Sequence, residues 1–173
     1  MNKKIKLVGT GGQGIKLLGH VLGNVLSEID YNVSLNFEFD TSVRGGNISA
    51  DLIYSDEPIE NPVIEKADIL LQLGGKQSDT VKIKATEKIV EKNICNQECT
   101  KCDLKCENGK QIPFYDVANK KFGSKIYMNM LAIGIILKHI GVDITKVNLK
   151  KGLPERFIEQ NIEAIKYGYS FSD

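Results

Sequence analysis

The chain has 173 residues, 42% apolar and 26% charged, which predicts one globular domain and excludes a disordered or collagen-like chain. Its 23 Lys and Arg against 22 Asp and Glu leave a net charge of +1, so no global field favours nucleic acid or an anionic membrane as partner. The longest apolar runs, such as residues 130–137, are too short for a membrane span, and we expect no signal peptide. We therefore expect a cytoplasmic protein.

The first half of the chain predicts strands around one long helix. From residue 13 to 29, apolar residues recur every three or four positions, the spacing of a helix with one buried face. On this helix Gly19 and Gly23 lie one turn apart, and we expect them to allow the close approach of a neighbouring backbone or simply to weaken the helix. The strands predicted in this half are residues 4–8, 32–39 and 48–54.

The second half predicts two more strands and three helices. An almost unbroken apolar run, residues 67–73, ends at two glycines, as in a strand covered on both faces, and a second strand is predicted at 88–94. The predicted helices are residues 116–122, 128–139 and 153–167. This alternation favours an α/β fold: a single Rossmann-like domain over residues 1–173, with a mostly parallel sheet flanked by helices and an inserted Cys-rich loop at about 95–106.

A glycine-rich turn with the pattern G-x-G-x-x-G lies between the first predicted strand and helix. The glycines of such a turn allow a tight bend and close ligand approach, while the helix N-terminus presents free N–H groups to an anion. The candidate cofactor-binding residues here are Gly9, Gly11, Gly12, Gln13 and Gly14. A fold that binds NAD carries an acid at the end of the second strand, about 20 residues after the glycine turn. Glu38 and Asp40 lie at the end of this strand, slightly farther along the chain than that spacing. The alternative is that the glycines only pack the helix onto the sheet.

Only two arginines occur in the chain, so each deserves individual consideration as a planar donor to phosphate or carboxylate. One of them begins Arg44-Gly45-Gly46, which follows the second strand and is expected near the carboxyl edge of the sheet. We add these three residues to the candidate cofactor site, with an ordinary solvated loop as the alternative. The other arginine is Arg156. No residue is assigned a catalytic role, and His20 and His139 are expected to be packed or surface residues.

All four cysteines lie within twelve residues. Thiolates so close in sequence can converge on one ion or cluster, because both Zn²⁺ and iron–sulfur clusters prefer sulfur ligands. The spacing C-x3-C-x2-C-x3-C slightly favours a [4Fe-4S] cluster over zinc, but it does not distinguish the two kinds of metal centre. Two local disulfides or four free thiols are the alternatives. The candidate metal ligands are Cys95, Cys99, Cys102 and Cys106.

Taken in order, four features of the chain resemble the gamma subunit, or gamma domain, of 2-oxoacid:ferredoxin (acceptor) oxidoreductases. That family includes pyruvate, 2-oxoisovalerate (ketoisovalerate) and 2-oxoglutarate enzymes. The features are the glycine turn, Arg44-Gly45-Gly46, the stretch Ser55–Pro62 before an apolar strand, and the C-terminal positions Asn129, Leu131, Asn161, Ala164, Gly168 and Tyr169. The match covers nearly the whole chain. Residues 39–43 depart from the Tyr-Gly pattern common before Arg-Gly-Gly, which leaves the subclass open.

The resemblance implies one subunit of an oxidoreductase that converts a 2-oxoacid to an acyl-CoA and passes electrons to ferredoxin. It implies alpha, beta and ferredoxin-like delta partners that carry thiamine diphosphate and the usual clusters, and a scaffold role for this chain in which it helps hold coenzyme A. The Cys loop is not a usual gamma feature, so its metal rests on spacing alone. Two alternatives are a free-standing NAD-dependent oxidoreductase or nucleotide sensor, and a metal-stabilised assembly module.

Overall fold

A computed structural model describes residues 2–40, 46–75, 83–96 and 109–171, with only the backbone at 95 and 96. The described residues form a six-stranded sheet in the order β2-β3-β1-β4-β5-β6. Its strands are β1 (Asn2–Thr10), β2 (Asn32–Phe39), β3 (Asn47–Ser55), β4 (Ala67–Gln72), β5 (Ala85–Glu91) and β6 (Gly109–Ile112). Strands β1, β4, β5 and β6 pair in parallel, whereas β3 runs antiparallel to both of its neighbours.

The helices confirm the predicted α/β class. They are α1 (Ile15–Glu28), α2 (Lys92–Asn96), α3 (Phe114–Phe122), α4 (Met128–His139) and α5 (Ile158–Ser170), with a 3₁₀ helix at Lys125–Tyr127. The sheet is mixed because the connection from β2 to β3 is too short for the crossover that a parallel pair needs, so the two strands form a hairpin. No helix in the described ranges is long and apolar enough to cross a bilayer.

Two predicted elements differ from the observed ones by three residues or more at their ends. The strand predicted at 88–94 is Ala85–Glu91, because the Glu91 carboxylate accepts the N–H of Asn93 and starts a helix at residue 92. The helix predicted at 153–167 begins instead at Ile158, because Phe157 takes a left-handed conformation with φ 62° that a continuing helix does not allow.

The prediction that Gly19 and Gly23 allow the close approach of a neighbouring backbone is wrong. These glycines face side chains of β2 and β3, while the backbone contact lies between α4 and α5. A Cβ on Gly134 would overlap the Ile165 carbonyl oxygen, and a Cβ on Gly168 would overlap that of Leu131. α4 is buried around most of its circumference and joins α1, α5 and the inner sheet face in one apolar core.

Candidate functional site

A cavity of about 810 Å³ opens at the carboxyl ends of β1, β4 and β5. This edge of an open α/β sheet is where such folds bind ligands. The glycine turn forms one wall, and the opposite walls come from the starts of α2 and α3, the 3₁₀ helix and the residues just before α5. The residues that line the cavity include Gly12, Glu91, Tyr115, Lys125, Arg156 and Phe157.

The glycine turn ends in an uncapped helix N-terminus. Gly12 and Gly14 have φ of 90° and 72°, values that favour glycine, and Gly14 precedes the first residue of α1. A Cβ on Gly14 would overlap the Asn129 side-chain nitrogen, so a larger residue here would also have to displace the Asn129 amide. Among the residues that the structure describes, no side chain caps α1, and no acid lies in its first turn. The first N–H groups of the helix therefore favour an anion at the cavity wall.

Gln13 braces the ends of two neighbouring strands. Its Oε1 accepts the N–H of Thr10 at 2.7 Å, and its Nε2 donates to the Leu73 carbonyl at 2.9 Å. A Cβ on Gly74 would overlap the Gln13 amide, and one on Gly9 would lie 2.8 Å from Oε1. These glycines therefore make room for the brace. The role of the turn in binding a cofactor stays a prediction, whereas the geometry gives Gln13 a structural task.

A Gln13→Ala substitution is expected to lower the free energy of unfolding by about 1–3 kcal/mol, since it leaves the Thr10 N–H and the Leu73 carbonyl without their partner. Urea unfolding followed by circular dichroism measures the change. Gln111→Ala on the exposed edge of β6 is the matched control and should change stability by less than about 0.5 kcal/mol. Equal effects at the two positions would contradict the bracing role.

Two cations line the cavity from different elements. The Arg156 guanidinium stacks over the Phe157 ring with 4.7 Å between its Cζ and the ring centroid. Lys125 opens the 3₁₀ helix, whose start is capped by the Ser124 hydroxyl. Glu91 is the one acid among the described lining residues, and its carboxylate is already engaged by backbone N–H groups. The cavity is therefore suited to an anionic ligand.

Glu91 ties together the beginnings of α2 and α3. Its side chain is buried, and its two oxygens accept the N–H groups of Asn93 at 3.0 Å and Tyr115 at 2.9 Å. Burial raises the pKa of Glu91 above its ordinary value of 4.5; the N–H donors oppose this rise and the nearby Asp116 adds to it. Glu91 thus fixes one side of the cavity while remaining easier to protonate than an exposed glutamate.

The raised pKa of Glu91 predicts a specific pH dependence. Above pH 4.5 the folded chain holds this proton more tightly than the unfolded chain, so the contribution of Glu91 to stability falls as pH rises through the folded-state pKa. Glu91→Gln should therefore flatten the fall in unfolding free energy that occurs as pH rises above the ordinary glutamate pKa of 4.5. The exposed Glu65→Gln serves as control. Parallel pH curves for wild type and Glu91→Gln would contradict this assignment.

Gly46 connects the second sequence motif to the glycine turn. Its carbonyl accepts the Gly11 N–H at 3.1 Å, whereas Arg44 and Gly45 lie outside the described residues. The role of all three in cofactor binding stays a prediction. Glu38 and Asp40 are not brought to the turn, because β3 separates β2 from β1 by two strand spacings, about 9–10 Å.

Most of the predicted cysteine site lies outside the described residues. Cys95 belongs to α2 by its backbone, its side chain is not described, and Cys99, Cys102 and Cys106 lie outside the described residues. Within residues 2–40, 46–75, 83–96 and 109–171, no three His, Cys, Asp or Glu side chains are grouped as metal ligands. His139 pairs with Glu87 at 2.9 Å. The metal centre stays a prediction.

Sequence reasoning missed most of the cavity wall opposite the turn. Glu91, Tyr115, Lys125 and Phe157 come from separate short segments, so no motif spacing joins them. The sequence did single out Arg156 as a residue of interest, because it is one of only two arginines in the chain.

Residues 4–171 match the family model described as pyruvate ferredoxin/flavodoxin oxidoreductase. The chain belongs to this family. It is 28% identical to the 2-oxoglutarate synthase subunit KorC of Archaeoglobus fulgidus, over 95% of this chain and 85% of that one. It is also 28% identical to the KorC subunit of Methanocaldococcus jannaschii, over 98% and 93% of the two chains.

Solved structures share the fold. The gamma subunit of a keto/oxoacid ferredoxin oxidoreductase from Geobacter sulfurreducens superposes with a TM-score of 0.75 at 22% identity, covering 98% of this chain and 95% of that one. A 2-oxoglutarate:ferredoxin oxidoreductase from Magnetococcus marinus, with 2-oxoglutarate, coenzyme A and succinyl-CoA bound, gives 0.79 at 19% identity, covering 98% and 30%. The predicted resemblance to this oxidoreductase family is confirmed, and the chain shares the fold of a gamma subunit of such an enzyme.

Proposed function

We propose that this gamma-type subunit holds coenzyme A beside an active site supplied by partner subunits of a 2-oxoacid:ferredoxin oxidoreductase. The complete enzyme oxidatively decarboxylates a 2-oxoacid, transfers the acyl group to coenzyme A and passes two electrons to ferredoxin. Alpha and beta subunits hold the thiamine diphosphate, and a ferredoxin-like delta subunit carries electrons. Family membership over residues 4–171 supports this assignment.

The observation that carries the coenzyme A assignment is the cavity at the glycine turn. Its volume of about 810 Å³ lies in the range of small-molecule and cofactor sites. Coenzyme A carries several phosphates, and the wall offers Lys125, Arg156 and the uncapped start of α1 to them. Tyr115 and Phe157 are 41% and 44% exposed and provide aromatic faces for an adenine ring.

Strand order argues against the NAD-dependent alternative. Dinucleotide-binding folds place the second strand beside the first, so that its terminal acid reaches the ribose. Here β3 occupies that place, and the Glu38 carboxylate accepts the Ser49 hydroxyl at 3.1 Å. A phosphate ligand can still use the turn, but the acid that selects NAD is too far away.

The proposed oxoacid is 2-oxoglutarate, because the curated relatives are named 2-oxoglutarate synthase subunits. Pyruvate and 2-oxoisovalerate are the comparison substrates. An assay of the assembled enzyme with each oxoacid, at saturating coenzyme A, distinguishes the three.

We also propose that the four cysteines bind one metal centre, a [4Fe-4S] cluster in preference to zinc. The support is their clustering within twelve residues. Metal analysis with visible and paramagnetic spectra on anaerobically prepared protein tests this, with Cys102→Ser as control. A sample that carries neither iron nor zinc would overturn it.

Calorimetry with coenzyme A and NAD tests the ligand assignment on the whole chain. We expect binding of coenzyme A and weak or no binding of NAD. NAD binding in the micromolar range, with none for coenzyme A, would reverse the assignment. Addition of 2-oxoglutarate and a redox dye to the same sample should give no reduction, because thiamine diphosphate belongs to the partners.

A further inference from the structure

Strand β2 forms one outer edge of the sheet and lacks the features that keep such edges from pairing. All eight of its residues pair with β3 in unbroken register, and within the described residues β2 has no other partner strand. It contains no proline, lysine or arginine, and Glu38 is its one charged residue. Soluble proteins usually protect a long regular edge with such residues or with a bulge.

The hydrogen-bond pattern shows which backbone groups face outward. The Asp40 N–H donates to the Asn47 carbonyl at 2.9 Å, which places residues 40 and 47 opposite each other as a bonded pair. In an antiparallel ladder bonded and non-bonded pairs alternate. The N–H and C=O groups that point away from β3 therefore belong to Val33, Leu35, Phe37 and Phe39.

The side chains of these same residues are incompletely covered. Leu35 and Phe37 lie against Gly19 of α1, yet Val33, Leu35 and Phe37 remain only partly buried. Phe39, which ends the row, is 53% exposed. The outer edge thus combines backbone groups that point away from β3 with an apolar row that continues to the edge.

We propose that β2 pairs antiparallel with β2 of a second copy of this chain, about a two-fold axis at Asn36. This register places outward-bonding residues opposite one another, Leu35 against Phe37 and Val33 against Phe39 of the second copy. Glu38 then faces Ser34, so no like charges meet. The net charge of +1 adds little repulsion. The strand is self-complementary in backbone, apolar pairs and charge, which argues for a second copy as the occupant.

Opposite-charge substitutions at the axis test the proposal. Asn36 is exposed, and in the dimer it faces its own copy. Asn36→Lys and Asn36→Asp should each weaken dimerisation by about fivefold or more, and an equal mixture of the two variants should restore a dimer. Sedimentation velocity over a concentration series measures the association. Gln111→Lys, an exposed residue on the opposite sheet edge, is the matched control and should dimerise like wild type.

A backbone variant separates the edge from side-chain effects. The Phe39 N–H points outward, so Phe39→Pro should fold normally and weaken dimerisation by about tenfold or more. A wild-type chain that stays monomeric at every concentration overturns the proposal. The proposal is also overturned if the chain dimerises and none of these β2 variants weakens the dimer, because another surface then forms the interface. Protection of β2 amides from exchange only after partner subunits are added would assign the edge to those subunits instead.

Discussion

An Arg156→Ala enzyme is expected to need about 10 to 100 times more coenzyme A than wild type to reach half-maximal rate. The guanidinium is one of two cations among the described residues of the cavity wall, and a hydrogen bond to a charged phosphate contributes about 1.5–3 kcal/mol to binding. The assembled enzyme should show this as a raised KM for coenzyme A, with the KM for the 2-oxoacid nearly unchanged.

Two variants control this result. Arg156→Lys keeps the charge but loses the planar fork and its stacking on Phe157, so it should recover only part of the affinity. Lys146→Ala removes an exposed cation that pairs with Asp143 away from the cavity and should leave the KM unchanged. An unchanged KM for coenzyme A in Arg156→Ala would remove Arg156 from the proposed site.

A Gly134→Ala variant is expected to lose about 1–3 kcal/mol of unfolding free energy, which corresponds to a midpoint about 3 to 10 °C lower. The new methyl group would overlap the Ile165 carbonyl oxygen, and a backbone atom of α5 cannot rotate away as a side chain can. The helices must separate, and this cost outweighs the gain of about 1 kcal/mol that alanine brings to a helix.

Gly23→Ala is the matched control for this prediction. A Cβ at Gly23 would lie 3.6 Å from Val33 and 3.7 Å from Leu52, which is ordinary contact, so the helix propensity of alanine should make the variant as stable as wild type or more stable. Thermal unfolding of the two variants compares them directly. A stable Gly134→Ala protein would show that α4 and α5 do not cross in backbone contact.

Local patterns were sufficient for most elements of the fold. The alternation in residues 32–39 predicted β2 at its observed bounds, and the helical spacing after the glycine turn predicted α1 within two residues at its N-terminus and one at its C-terminus. The place of β3 between β1 and β2 could not be derived in the same way, because alternation describes one strand and not its neighbours. The start of α5 depended on a single left-handed residue, Phe157, which has no sequence signal.

The site was predictable on one side only. The glycine turn is a contiguous motif, so its position at the carboxyl edge of the sheet followed from the sequence. Gly134 resembled any other helical glycine, and its importance depends on Ile165, far along the chain. Glu91, Lys125 and Arg156 meet only through the tertiary fold, since each belongs to a different segment.

The most direct test of the central claim is purification of the tagged chain from its native cells, followed by an assay of coenzyme A-dependent ferredoxin reduction with 2-oxoglutarate. We predict that thiamine-binding subunits co-purify, that the complex reduces ferredoxin, and that the chain stripped of its partners does not. Recovery of the chain without such subunits, or activity of the stripped chain by itself, would contradict the account.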